Sequence, residues 1–119
     1  MIKNILLVAL GGGAGSVCRY LISILNSTSY PWGTFAVNIL GSLFIGLLVG
    51  CVNKGSLSPE LKLLLVTGFC GGFTTFSTFA NESVGMMKAG DILLSALYIG
   101  ASVVVGVLAV WAGLKLSGG

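Results

Sequence analysis

Residues 68–79 read Gly68-Phe69-Cys70-Gly71-Gly72-Phe73-Thr74-Thr75-Phe76-Ser77-Thr78-Phe79. They lie in an uncharged run from Leu63 to Ala80, close to the roughly 20 mainly apolar residues that a membrane-spanning helix needs. Two adjacent glycines followed by hydroxyl residues make a poor helix centre. Backbone released from a helix at membrane depth must be satisfied by protein, water or an ion. Unpaired carbonyls there attract a cation, and unpaired N–H groups an anion. The stretch is therefore read as a membrane helix broken near its centre, against the alternative of a continuous helix softened by glycine.

The rest of the chain supports a membrane reading. The 119 residues are 55% hydrophobic and only 8% charged, with a mean hydropathy of +1.06. A soluble domain carries about 25% charge, so there is too little polar surface here to clothe a water-soluble globule. Ile5 to Leu25 is a second apolar run, broken only by Arg19; Gly33 to Val52 and Ile92 to Leu114 contain no charge. Polar stretches at 26–31, 53–59 and 88–91 read as turns. The sequence predicts one all-α integral membrane domain over 1–119, with four spans near 3–25, 33–53, 60–87 and 91–116. The first run continues past its small-residue segment to Leu25, so it is expected to be a span and not a cleaved signal peptide. Lys3, Lys54, Lys62 and Lys115 fall at one end of such a bundle and Arg19 and Lys88 at the other. That is a small positive-inside bias, of the kind a chain able to insert both ways round would show.

Composition also narrows function. The six basic residues are scattered, which disfavours nucleic acid. Cys18, Cys51 and Cys70 have no metal-ligand spacing and read as small apolar packers. With no histidine, no acidic pair and no nucleophile beside a base, the chain is not expected to be an enzyme. The sequence shows no internal repeat, so four helices of this length would form a pathway between two copies of the chain rather than within one. Gly11-x-x-x-Gly15 and Ser42-x-x-x-Gly46-x-x-x-Gly50 are surfaces for close helix contact, serving the monomer or a dimer.

Several polar residues and aromatics are candidates for a pathway. Phe76 and Phe79, three apart, share a helix face; their positive ring edges can line an anion path, or the rings can simply pack. Asn38 either bonds another helix or lines a cavity. Ser95, Tyr98 and Ser102 form one stripe of the fourth span, as a polar track or as hydroxyls bonded back to their own helix. Arg19 is expected to snorkel to the interface, with pairing or a pore-mouth role as alternatives. Glu82 is either an interfacial charge or part of a wet vestibule.

Together these motifs resemble the fluoride channel family, Fluc, also called CrcB, over nearly the whole chain. The resemblance rests on residues 68–79, on Gly12-Gly13-Ala14-Gly15-Ser16-Val17-Cys18-Arg19-Tyr20, and on Gly33-Thr34-Phe35-Ala36-Val37-Asn38-Ile39-Leu40-Gly41. It implies an antiparallel dual-topology homodimer in the bacterial plasma (inner) membrane, with two pores that export fluoride passively and confer fluoride resistance. It further implies a structural Na⁺ at the dimer interface, held by the backbone carbonyls of Gly71 and Thr74 from both subunits. Phe76, Phe79 and Asn38 match the family's pore residues, Ser77, Thr78 and Glu82 its vestibule, and Tyr98 and Ser102 its polar track. Gly106 stands where that track can carry a further hydroxyl, and Arg19 matches a recurrent arginine. The competing readings are a proton-coupled small multidrug exporter, disfavoured because its span 1 glutamate is missing, and a non-transporting membrane assembly subunit, which would leave the polar constellation unexplained.

Overall fold

A computed structural model describes residues 1–26 and 30–118; part of the turn expected at 26–31 lies outside the described residues. Helix α1 spans Ile2–Ser23 and α2 spans Trp32–Asn53. The third span has two pieces. Helix α3 covers 59–73, beginning as Pro59–Lys62, widening to a π-helix over Leu63–Cys70 and closing with Gly71–Phe73. Helix α4 follows at Ser77–Lys88, and α5 runs over Ile92–Leu116. Among the described residues, four segments are long and apolar enough to cross a membrane, counting Pro59–Lys88 as one. A helix of 22 residues is about 33 Å long, which matches a hydrocarbon core of about 30 Å.

Local chemistry sets the ends. Gly55 and Gly90 adopt φ of 73° and 89° just past α2 and α4, the left-handed turn that ends a helix and that glycine takes without a Cβ clash. The Ser58 hydroxyl accepts the Leu61 N–H at 3.1 Å, and Pro59 occupies the first turn, where its missing N–H costs nothing.

Helix α1 packs along α3, α2 along α5, and α4 against α5. The first two contacts are backbone-close. A Cβ on Gly15 would collide with the Phe69 carbonyl and lie 2.8 Å from the Phe73 nitrogen. One on Gly113 would meet the Leu43 carbonyl and lie 2.7 Å from the Leu47 nitrogen. The small-residue spacing of span 1 and Gly46 of span 2 thus serve packing within the chain.

The break falls later than the glycine pair suggests. Gly71 keeps helical angles (φ −62°, ψ −39°), and the helix persists to Phe73 before Thr74 turns extended at ψ 157°. Gly72 is needed for contact instead: a Cβ there would lie 2.9 Å from the Gly12 Cα. The helix is lost over 74–76, where an outside side chain takes over the backbone hydrogen bonds.

Candidate functional site

That side chain is Asn38, carried on α2. Its Oδ1 accepts the Thr75 N–H at 2.9 Å, and its Nδ2 donates to the Thr75 carbonyl at 3.1 Å. One carboxamide thus satisfies both backbone groups of a residue outside any helix, and a buried group left unmet would cost about 1–3 kcal/mol. The alternative left open at Asn38 is resolved at the level of contact: it bonds across to the broken span, and it also lines a groove.

The break has a second consequence. In a continuous helix the Gly71 carbonyl would accept from Thr75 N–H and the Thr74 carbonyl from Thr78 N–H. Here the Thr75 N–H is taken by Asn38, and the Thr78 N–H is given to the Thr75 hydroxyl at 3.3 Å. Both carbonyls therefore lose their usual helical donors. Gly71 is exposed, with nothing within 4 Å of where a Cβ would sit. Backbone oxygens freed in this way are hard ligands suited to a small hard cation.

Just before the break lies Arg19. Its Nε donates to the Gly72 carbonyl at 3.1 Å, so the side chain turns inward onto the end of α3 and does not simply snorkel. The carbonyl end of a helix carries partial negative charge, which accounts for that preference.

A groove of about 580 Å³ opens beside the break. Asn38, Gly71, Thr74, Phe76, Phe79 and Ser102 all line it, so residues from α2, the broken span and α5 converge. The Phe76 and Phe79 rings stand 6.0 Å apart between centroids, and Phe76 is 79% exposed although it is a large apolar side chain. The Ser102 hydroxyl is buried and has no hydrogen-bond partner within the described residues. Ser42 also lines the groove, with its hydroxyl 3.6 Å from where a Gly106 Cβ would lie. That hydroxyl donates back to the Asn38 carbonyl at 2.7 Å, so it brings only lone pairs beside the position that lacks a hydroxyl on α5.

Tyr98 does not line the groove. It is fully buried, its ring 5.1 Å from that of Phe79, and its hydroxyl donates to Glu82 Oε1 at 3.0 Å. Glu82 Oε2 accepts from the Thr34 hydroxyl at 2.9 Å and from Asn26 Nδ2 at 3.3 Å. Ser95 donates across to the Ser83 carbonyl at 2.9 Å, so neither Ser95 nor Tyr98 bonds back to its own helix. Ser77 and Thr78 open α4, Ser77 exposed and Thr78 half-buried. Tyr30, just outside α2, packs edge-on against Tyr98 at 5.3 Å, and its partial burial raises the phenol pKa above its ordinary value.

Three functional neighbours escape sequence reading: Thr75, Thr34 and Asn26. Thr75 stands among several hydroxyl residues over 74–78, and nothing local singles it out. Thr34 falls within the stretch 33–41 that carries the resemblance, but nothing there, and nothing in the polar edge residue Asn26, names Glu82 as a partner.

A family profile described as "CrcB-like protein, Camphor Resistance (CrcB)" matches residues 6–114. A protein of Agrobacterium fabrum is 52% identical, covering 95% of this chain and 94% of its own length. One from Flavobacterium psychrophilum is 47% identical over 97% of both chains. One from Phocaeicola vulgatus is 47% identical over 97% of this chain and 98% of its own. All three are named fluoride-specific ion channel FluC.

Proposed function

This chain belongs to the CrcB-like protein family, and on that premise we propose that it is a fluoride-selective channel that passes the anion passively across the membrane. It is a multi-pass membrane protein of four spans. The observation that carries the reading is the groove in which Asn38, Phe76, Phe79 and Ser102 meet around a broken span. The phenylalanine rings offer positive edges, and Ser102 lines the groove with a buried hydroxyl that has no partner among the described residues. Such groups offset dehydration of a small anion without holding it so tightly that it cannot leave.

The pathway is completed by a second, antiparallel copy. The groove is open on one side and exposes Phe76 and Gly71, and freed backbone cannot face lipid. The carbonyls of Gly71 and Thr74 from both copies would hold a structural Na⁺, which would supply positive charge to join the two broken spans. Ser77 and Thr78 stand toward the aqueous mouth; Glu82, assigned to the same vestibule, has its carboxylate bonded to Tyr98, Thr34 and Asn26 and off the groove lining. In a bacterial plasma membrane the negative interior drives the anion out, with about 2.3 kcal/mol per charge for each 100 mV.

The test is efflux from liposomes loaded with potassium fluoride and reconstituted with the purified chain alone. Valinomycin starts the run, an ion-selective electrode follows external fluoride, and chloride-loaded vesicles run in parallel. Rapid fluoride release without chloride release is expected. Release no faster than from empty vesicles would overturn the reading of a self-sufficient fluoride channel.

A further inference from the structure

The Glu82 carboxylate is unusual in that it sits within a membrane span with no basic partner among the described residues. It is held by neutral donors from three directions: Tyr98 on α5, Thr34 on α2, and Asn26 from beyond the end of α1. Asn26 links the local structure of two of these. Helix α2 begins after Pro31, which offers no side-chain cap, so its first N–H groups need outside acceptors. Asn26 Oδ1 accepts the Thr34 N–H at 3.0 Å, while its Nδ2 donates to the Thr34 hydroxyl and to Glu82 Oε2, each at 3.3 Å. An amide suits both tasks, because one end accepts and the other donates.

We propose that Asn26 is a positioning residue for the pathway: its carboxamide clasps Glu82 against Thr34 and Tyr98, keeping the carboxylate away from the groove and Tyr98 seated behind Phe79. This rests on the channel reading. Glu82 is absent from the groove lining, and a free carboxylate swinging into an anion path would repel the ion by Coulomb's law. The Glu82–Tyr98–Phe79 sequence of contacts (3.0 Å, then 5.1 Å between rings) carries the clasp to the groove wall. Thr34 is 3% exposed and Tyr98 fully buried, so the carboxylate is anchored on packed elements, and Asn26 closes it from the exposed side.

A double-mutant cycle separates this role from simple capping of α2. Asn26→Asp keeps the acceptor for Thr34 N–H but sets a second carboxylate against Glu82. Glu82→Gln added to it restores a donor–acceptor pair with its polarity reversed. Wild type, N26D, E82Q and N26D/E82Q are compared for fluoride efflux from liposomes and for elution as a single species in detergent. N26D is expected to slow efflux about tenfold, because it removes one of three donors to the Glu82 carboxylate and sets a second negative charge against it. The double variant is expected to be about tenfold faster than the two single effects multiplied together. N26A, which adds no charge, should slow efflux in the same direction and serves if N26D fails to assemble. Rates that multiply without coupling, or N26D and N26A conducting as wild type, would overturn the clasp while leaving the channel reading intact. A silent wild type would remove the channel reading and the clasp with it.

Discussion

Asn38 has one amide with two hydrogen-bonding ends, and Thr75 uses both. An aspartate there would keep an acceptor for Thr75 N–H but turn a negative oxygen toward the Thr75 carbonyl, inside the groove. Asn38→Asp is expected to lower fluoride efflux by at least about tenfold, since a charged group that loses its hydrogen-bond partner costs about 1.5 kcal/mol or more; wild-type flux in that variant would remove Asn38 from the pathway. The residue itself was legible as an amide in an apolar helix. Its partner was not, because Thr75 is 37 positions away and the choice depends on how α2 meets the broken span. Arg19 shows the same limit: its stem is long enough to snorkel, and only the nearby Gly72 carbonyl decides that it turns inward.

At the scale of elements, the helices meet through glycine at two seams. Gly113 lies so close to α2 that a side chain would strike its backbone, whereas Gly13 on α1 has nothing within 4 Å. Gly113→Val is expected to destabilise the α2–α5 pair by about 1–3 kcal/mol or more, as overpacking does. Gly13→Ala is expected to be neutral or slightly stabilising, because alanine is the better helix former. Unfolding midpoints in detergent check both, and equal midpoints would contradict the seam. The broken span was readable from its glycines and hydroxyls, but the position of the break was not. The glycine pair stays helical under α1, and helix is lost at Thr74 to Phe76, where Asn38 takes over the backbone groups. Nothing in Leu63 to Cys70 marks it as a π-helix rather than an α-helix, since both windings suit the same apolar residues.

For the whole molecule, the groove is the decisive surface. It gathers polar backbone and Phe76 on a face that a single chain leaves open, and lipid is a poor solvent for such a face. A second copy is therefore expected to cover it. Single-molecule photobleaching in liposomes should show two chains per conducting particle, and a conducting population of single chains would contradict this. If the Gly71 and Thr74 carbonyls hold Na⁺ between the copies, replacing sodium with N-methylglucamine should lower the unfolding midpoint in detergent. A midpoint indifferent to sodium would argue against that site.

Reading along the chain is enough to give the solvent of this protein, its four spans and the presence of a fault in the third. Those properties follow from hydropathy, run length and local propensity, which neighbouring residues specify together. The tertiary structure decided where the fault lies, which carbonyls it frees, and that Asn38 and Asn26 each serve a backbone or carboxylate far along the chain. Hydrogen bonds at about 3 Å depend on how helices dock, and docking here is set by glycine seams whose partners no local stretch of sequence names.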